Sequence, residues 1–269
     1  LLRQHGIDVL ADAPEVGQNL QDHYQARVIV RLKKKMSLND QVRSPLGLMR
    51  MGWQWLAHNR GPLTVGAGQV GGFAKTEYAS DGRADVQFNV MPLSVDKPGD
   101  PLHAYSGFSA SACQCRPASR GQLQIHSTDP YAAPRIEPRY FQEERDRRTL
   151  VAGLQRLREM YQQPVFRDLW DLETMPGPGV ATPAALWDFA RQRGGTVFHP
   201  VGTARMGNPA DADSVTDPRL RVIGVQGLRV VDASVMPVVS SGNTNAPTMM
   251  IAEKGAAMII EDARTGSTA

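Results

Sequence analysis

Apolar residues recur at helical spacing in two parts of the chain, and a capping signal marks a third, so three helices are predicted before the last seventy residues. In the range 46–58 they share one face, which is typical of a helix packed on a core. The range 143–162 carries a second stripe of the same kind. Thr182 and Pro183 then supply an N-cap residue and a first-turn proline, which together predict a helix over 183–193.

Strands are predicted in the middle of the chain. Val28–Leu32 is an apolar, β-prone run, and apolar and polar residues alternate strictly at 86–90, 108–113 and 122–126. Because period-two alternation is typical of strands with one buried side, we expect an antiparallel sheet with one covered face. Strands followed by helices, without regular alternation of the two, favour an α+β middle domain.

The last seventy residues have a different pattern. Leu220–Ile223 and Leu228–Val231 predict two short strands, and Asp232 follows the second. A loop rich in Ser and Asn over 240–245 leads to Pro247, which predicts the start of a final amphipathic helix. A strand, a loop and a helix N-terminus in this order form the layout of an anion-accepting site.

Composition excludes several classes of protein. The 269 residues are 41% hydrophobic and 21% charged, which is typical of a folded globular chain. The net charge is only +3, and the one basic run, Arg31–Lys35, has no interleaved aromatics, so no nucleic-acid partner is expected. No apolar run approaches the roughly 20 residues of a membrane-spanning helix. Because no signal peptide is present either, we expect a cytoplasmic protein, with peripheral membrane attachment left open.

Other classes of chemistry have little support. The six histidines are scattered, so no metal site is expected. Cys113 and Cys115 should lie on one face of a strand as small buried side chains, in poor geometry for a disulfide. No G-x-S-x-G motif of a serine hydrolase is present.

The segment Gly66–Gly71 matches the G-x-G-x-x-G fingerprint of dinucleotide-binding loops. That fingerprint requires a helix after it and an acidic residue about 20 positions further on. The residues after it look like a strand, and Met91 and Pro92 stand where the acid should be. We therefore reject this segment as a cofactor loop.

Motifs at both ends of the chain point to a known family. They are Thr196–Gly207 (TVFHPVGTARMG), Asp217–Val222 (DPRLRV), Gly227–Pro237 (GLRVVDASVMP), Gly242–Pro247 (GNTNAP) and, near the N-terminus, Pro14–His23 (PEVGQNLQDH). Together they resemble the GMC (glucose–methanol–choline) flavin oxidoreductases, and Gly61–Leu63, Gly71–Phe73 and Arg116–Gly121 match choline-dehydrogenase-like members. The resemblance covers nearly the whole chain.

The resemblance implies a fold that is α/β plus α+β: an incomplete, Rossmann-like FAD-binding domain with an antiparallel-sheet substrate domain that carries helices. Residues 1–67 and 197–269 would belong to the FAD domain, and 68–196 to the substrate domain. The family's flavin-binding glycine fingerprint precedes the PGVGxNLQDH segment, and this chain, which starts at Leu1, lacks it. We therefore expect a fragment that does not retain FAD alone. The alternative is a non-catalytic remnant, or a subunit of a split enzyme whose partner chain carries the glycine motif.

The resemblance also assigns catalytic roles to His199 and Asn243. Oxidation of an alcohol requires a group that accepts the hydroxyl proton and a group that holds the oxygen. A histidine suits the first task because its usual pKa, about 6.5, lies close to working pH. A neutral amide suits the second, since it hydrogen-bonds oxygen without adding a charge. Without the motif, His199 would read as a structural histidine, and Asn243 as a loop residue.

The cofactor residues implied by the resemblance surround the start of the final helix. Asn245, Ala246 and Thr248 would place the positive end of that helix beside the flavin. Asp232 and Ala233 would lie near the ribityl and pyrophosphate portion of FAD. By contrast, we interpret His23 as an anchor of the N-terminal connector with no part in the chemistry.

Substrate and electron acceptor are less constrained by the sequence. Phe73 and Phe198 are the expected substrate-contacting residues. Related sequences often carry an acidic residue where this chain has the neutral Gln69, which favours an uncharged primary or aromatic alcohol over choline. The acceptor would be quinone-like or oxygen, and overall similarity favours a dehydrogenase.

Overall fold

The computed structural model describes residues 1–66, 68–97 and 99–266. Its first elements are β1 (Tyr24–Leu32), α1 (Leu38–Arg43), α2 (Pro45–His58), β2 (Val70–Ala74), β3 (Val86–Met91) and β4 (Gly107–Gln114). They are followed by β5 (Gln122–Gln124), β6 (Arg135–Glu137), α3 (Glu144–Tyr161), β7 (Trp170–Met175), α4 (Pro183–Arg193), β8 (Gly195–Thr196) and α5 (Asn245–Thr265). In the described part of the chain, no helix is both long and apolar enough to cross a bilayer.

Two compact units share these elements. The first contains Leu1–His23, Cys115–Asp146 and Thr196–Ala269, and the second contains Tyr24–Gln114 and Arg147–Gly195. The division predicted from the resemblance, 1–67, 68–196 and 197–269, concerns the cofactor and substrate domains and stays a prediction. Its boundary residue Ala67, which also belongs to the rejected glycine segment, lies outside the described residues, as do 267–269.

An antiparallel sheet forms the centre of the second unit, as predicted. Its strands follow the order β2-β3-β4-β1-β7, and every neighbouring pair along this path is antiparallel. The predicted helices over 46–58, 143–162 and 183–193 are confirmed as α2, α3 and α4. Thr182 caps α4 as expected, since its side chain accepts a hydrogen bond from the Ala185 N–H at 3.2 Å.

Helix α3 packs closely on this sheet. Leu150, Leu154 and Leu157 are fully or almost fully buried, and each contributes roughly 1.5–3 kcal/mol by leaving water. Gly153 allows the close approach, because a Cβ there would lie 3.1 Å from the Ala112 Cβ.

The expectation of one covered face is wrong for β4. Ser109 and Ser111, on its polar side, are as buried as Ala110 and Ala112 on the other. Serine alternates with alanine here, and both are small enough for a strand that is covered on both sides. Cys113 and Cys115 are buried and form no disulfide. However, they do not share a strand, since β4 ends before Cys115.

Three other sequence expectations fail in the first unit. The segment around 122–126 does not join the main sheet; β5 pairs only with β6. Within the described residues, Leu220–Ile223 and Leu228–Val231 form isolated bridges, such as Arg221 with Arg229, and no strand. Their apolar residues pack with α5 instead: Leu220 and Ile251 belong to one buried cluster.

The final helix starts two residues earlier than predicted. Helix α5 begins at Asn245 with Thr244 as its N-cap, so Pro247 is the third helical residue. Proline fits there because N–H groups in the first turn have no intrahelical acceptor. At the other end of α5, Asp262 forms ion pairs with Arg219 and Arg229, which tie the helix to the preceding segment.

Candidate active site

His199 lies in the first unit, in the turn that follows β8. Phe198 adopts φ +63°, a left-handed conformation that costs a non-glycine residue roughly 1–2 kcal/mol. Its N–H donates to the Thr196 hydroxyl at 2.7 Å, which helps to hold the turn. The turn leaves Phe198 80% exposed and His199 only 8% exposed.

Asp22 holds the backbone of His199 in place. One carboxylate oxygen accepts the His199 N–H at 2.8 Å. The other accepts the Thr196 hydroxyl at 2.5 Å and the Tyr140 hydroxyl. Hydrogen bonds to a carboxylate are stronger than those between neutral groups. Through these bonds, the one buried side chain of Asp22 connects segments that are distant in the sequence.

The imidazole of His199 contacts a second buried imidazole. Its Nδ1 lies 2.9 Å from the Nδ1 of His23, and the two rings meet nearly edge to face. On its other side, the Nε2 of His23 lies 2.8 Å from the carbonyl oxygen of Cys115. The sequence interpretation of His23 as a connector anchor missed this contact. The Asp22-His23 pair of the QDH motif was the available signal, because both residues bond to His199.

The outer nitrogen of His199 faces Asn243. The Asn243 Nδ2 lies 3.3 Å from the His199 Nε2, within hydrogen-bonding distance. Asn243 belongs to the exposed loop before α5, whereas the next residue, Thr244, is buried. The structure thus brings together the two side chains to which the resemblance assigns catalysis.

Both histidines are poor proton binders in this setting. Burial lowers the pKa of His199, the proximity of His23 lowers it further, and Asp22 opposes the change. Burial also lowers the pKa of His23, against the carbonyl of Cys115, the charge of Asp22 and the carbonyl of Ser240. The ordinary pKa of histidine is about 6.5, so both rings are neutral at pH 7.

The start of α5 presents N–H donors for which the described residues provide no acceptor. The side chain of Thr244 makes no capping bond, and the first helical bond runs from the Thr248 N–H to the Thr244 carbonyl at 3.0 Å. The N–H groups of Asn245 and Ala246 therefore have no acceptor within the helix. The Thr248 hydroxyl donates to the same Thr244 carbonyl at 2.7 Å. The predicted part of Thr248 in cofactor binding stays a prediction.

Asp232 and Ala233 lie in the same unit. Asp232 is exposed and caps a short 3-10 helix, Ala233–Val235, by accepting the Ser234 N–H at 2.8 Å. Uncapped N–H groups and an exposed carboxylate are a donor and acceptor set that fits a group with both anionic and hydroxyl parts, as FAD has. Among the described residues, no cluster of three or more His, Cys, Asp or Glu side chains is placed to hold a metal ion.

The two predicted substrate residues lie in different units. Phe198 is in the first unit, next to His199 in the chain. Phe73 lies on β2 in the second unit and is 54% exposed. Their contact with substrate stays a prediction.

Comparison with known proteins identifies the family. A GMC oxidoreductase family model matches residues 117–252. An alcohol dehydrogenase [acceptor] of Pseudomonas putida is 36% identical over 96% of this chain and 46% of its own length. Oxygen-dependent choline dehydrogenase 1 of Chromohalobacter salexigens is 35% identical over 94% of this chain and 45% of its own length.

Solved structures agree in fold. Pyridoxine 4-oxidase from Mesorbium loti superposes with a TM-score of 0.78 at 25% identity, over 97% of this chain and 46% of its own. A variant of formate oxidase from Aspergillus oryzae, studied for its FAD modification, gives 0.86 at 23% identity, over 98% of this chain and 50% of its own.

The fold and the family model define the class: this is the C-terminal portion of a flavin-type oxidoreductase. The chain belongs to the GMC oxidoreductase family. It spans about half the length of the curated relatives that it matches.

Proposed function

We propose that this chain supplies the proton-accepting side of an active site that oxidises an alcohol to an aldehyde with FAD. The observation that carries the proposal is the pairing of a buried, neutral histidine with an amide: His199 Nε2 and Asn243 Nδ2 lie 3.3 Å apart. The rest of the FAD-binding domain would come from sequence outside this chain, on the same polypeptide or on a partner.

His199 is suited to accept the hydroxyl proton. Its lowered pKa keeps the ring unprotonated at neutral pH, so a nitrogen lone pair is available without prior loss of a proton. Its main chain is fixed by Asp22 and its ring by His23, so the proton acceptor is held in one orientation.

Asn243 is suited to hold the reacting oxygen. Its Nδ2 carries two N–H groups, and it lies within hydrogen-bonding reach of the nitrogen that would receive the proton. An alcohol oxygen that bonds to both groups would give its proton to His199. The oxygen would then remain hydrogen-bonded to the neutral N–H of Asn243. Because that donor adds no positive charge, it stabilises the developing alkoxide without competing for the proton.

FAD would be held by the groups at the start of α5. The Asn245 and Ala246 N–H groups lie at the positive end of the helix dipole, which stabilises a nearby anion by about 0.3–1 kcal/mol. Asp232 and Ala233 would face its ribityl and pyrophosphate portion. When bound, the flavin supplies the acceptor for the hydride that leaves the alcohol carbon.

The proposal is tested by anaerobic reduction of the flavin in the protein that contains its FAD-binding half. His199→Ala should slow reduction by about 10²–10⁴-fold, the usual contribution of a general base. Asn243→Ala should slow it by roughly 10²–10³-fold, as loss of one oxyanion donor does. His58→Ala, at an exposed helix end, is the matched control and should have no effect. An unchanged rate in His199→Ala would remove this histidine from the mechanism.

For the substrate, we propose an uncharged primary or aromatic alcohol. Gln69, which takes the place of an acidic residue common in related sequences, is exposed and carries no charge to attract a quaternary ammonium group. Among the relatives are both an alcohol dehydrogenase and choline dehydrogenases. Benzyl alcohol, butanol and choline should be compared by kcat/KM. The uncharged alcohols should exceed choline, and choline as the best substrate would refute the proposal.

For the electron acceptor, we propose a quinone-like compound, with oxygen as the alternative. Turnover with a soluble quinone should exceed turnover with dissolved oxygen at equal concentration. A faster reaction with oxygen would make the protein an oxidase.

A further inference from the structure

We infer that His23 is a positioning residue: it determines which ring nitrogen of His199 carries the proton. The inference builds on the proposed function, in which the Nε2 of His199 accepts the proton of an alcohol. The hydrogen-bond chain runs from a backbone carbonyl through two imidazoles to an amide, and all its members lie in the first unit.

The carbonyl end of this hydrogen-bond chain determines which ring nitrogen of His23 carries the hydrogen. A backbone carbonyl accepts hydrogen bonds and cannot donate one. The Nε2 of His23 lies 2.8 Å from the Cys115 oxygen, so it must carry a hydrogen. Two facing lone pairs at that distance would repel each other, and the site is fully buried, with His23 at 0% exposure. Since a neutral imidazole carries one hydrogen, the Nδ1 of His23 is an acceptor.

The contact between the two rings then determines which ring nitrogen of His199 carries the hydrogen. Its Nδ1 lies 2.9 Å from the Nδ1 of His23, and one of the two nitrogens must donate. Because the His23 nitrogen is an acceptor, His199 donates from Nδ1. Its own single hydrogen is thereby used, so Nε2 keeps a lone pair. In free histidine the other form, with the hydrogen on Nε2, predominates, and that form could not act as a base at this position.

The amide end is consistent with the assignment made from the carbonyl end. Asn243 presents its Nδ2, the donor side of the amide, to the Nε2 of His199 at 3.3 Å. This orientation suits an Nε2 lone pair and would be wrong for an N–H. Both ends of this hydrogen-bond chain are therefore compatible with His199 carrying its hydrogen on Nδ1.

The backbone holds the two rings in register. Gln21 and Val201 exchange both of their N–H to carbonyl bonds, at 3.0 and 2.9 Å. The Val197 N–H donates to the carbonyl of His23 at 2.8 Å. Segments 21–23 and 197–201 thus run side by side, so the contact between the rings does not depend on the side chains alone.

Two substitutions of similar size separate the possible roles of His23. In His23→Asn the amide oxygen can replace Nδ1 as the acceptor for His199. In His23→Gln the longer side chain reaches the position of Nε2, so it can bond the Cys115 carbonyl while leaving His199 without an acceptor. A residue needed only for packing or for the Cys115 bond would tolerate Gln at least as well as Asn.

The direct measurement is the tautomer of His199. Histidine-selective ¹⁵N labelling of the protein with its FAD-binding half, with His199→Gln used for assignment, distinguishes a protonated from an unprotonated ring nitrogen. In the unsubstituted protein we expect hydrogen on Nδ1. His23→Asn should preserve it, and His23→Gln should shift the population toward Nε2–H. Hydrogen on Nε2 in the unsubstituted protein, or the same tautomer in all three proteins, would overturn the inference.

Kinetics give the second readout. In His23→Gln, kcat/KM for the alcohol should fall by about 10²–10⁴-fold, the range for loss of a general base. In His23→Asn it should stay within about tenfold. Equal losses in both variants would overturn the positioning role. The tautomer is measured without substrate, so failure of the proposed function, seen as full activity in His199→Ala, can be told apart from failure of this inference.

Discussion

Asp22 and His23 are neighbours in the chain and act on different parts of one residue. Asp22 binds the main chain of His199, and His23 binds its ring. The first contact fixes the backbone position of His199, and the second fixes the orientation of its ring. On the proposed function, a base held at both points would lose little freedom on binding a substrate, so more of the binding free energy would remain for catalysis.

The pH dependence of flavin reduction follows from the environment of His199. Burial and the neighbouring His23 ring hold its pKa below the usual value, while Asp22 opposes them. A base with a lowered pKa stays unprotonated as the pH falls below 6.5 and is lost only at lower pH. Stopped-flow reduction rates should therefore be constant through pH 7 and decline only below about 6.5, the unperturbed value.

Substitution of the neighbouring ring provides the control. His23→Asn removes one cause of the lowered pKa, so the acidic decline should move to higher pH. Because the two rings touch, the decline in the unsubstituted protein belongs to the pair and not to one ring alone. An acidic decline centred above pH 7 in the unsubstituted protein would contradict this account.

At the scale of elements, the position of α5 sets the position of the candidate cofactor groups. A Cβ on Gly255 would lie 2.5 Å from the Val231 Cγ1 and 3.1 Å from the Leu220 Cδ1. The helix can approach that segment so closely only because residue 255 has no side chain. The start of α5, with Asn245 and Ala246, is placed by this contact ten residues away.

Gly255→Ala should therefore destabilise the protein although alanine favours helices. Overpacking costs about 1–3 kcal/mol, and a contact of 2.5 Å belongs to the upper part of that range, above the gain of roughly 1 kcal/mol in helix propensity. Gly52→Ala is the matched control, because residue 52 lies in α2 with nothing within 4 Å of the added carbon. Thermal unfolding should show a lower midpoint for Gly255→Ala and an equal or higher one for Gly52→Ala. A midpoint raised by both would mean that α5 can shift freely.

Elements with local signals could be predicted from the sequence, and those that depend on distant partners could not. The stripe of Leu150, Leu154 and Leu157 specifies α3 within a single window, and Thr182 caps α4 through the N–H of Ala185, three residues further on. By contrast, the short strand β5 looks like any other alternating segment, and its pairing with β6, apart from the main sheet, has no local sequence signal.

The candidate site divides in the same way. His199 and Asn243 were named by motif, and the structure brings them within 3.3 Å. The contact between His199 and His23 spans 176 positions and has no periodic signal. The QDH motif marks His23 as a residue of interest, but the local sequence does not show that its ring contacts the ring of His199.

At the scale of the whole molecule, the proposed function needs more of an FAD site than this chain supplies, since the chain spans about half the length of the curated relatives that it matches. On the proposed function, the start of α5 and Asp232 would meet one portion of the cofactor. The resemblance implies that the glycine fingerprint for its adenine end lies outside this sequence. We therefore expect the isolated chain to purify without flavin. The measurement is the visible absorbance of the purified protein against its concentration.

Addition of a polypeptide with the proposed FAD-binding half provides the complementary test. A separately expressed polypeptide that carries the glycine motif should restore flavin binding if the two halves assemble. Stoichiometric flavin in the isolated chain would contradict the expectation, since it would show that these residues suffice to hold the cofactor.

The discontinuous first unit has a consequence for biosynthesis. His23 leaves the ribosome 176 residues before His199. At 5–20 residues per second this is a delay of roughly 9–35 s. Throughout that interval segment 21–23 of the nascent chain lacks its partner segment 197–201, so its polar side chains stay hydrated. A ribosome that stalls or terminates before residue 199 would release a product in which this unit cannot close, and such truncated products are natural targets for chaperones and proteases.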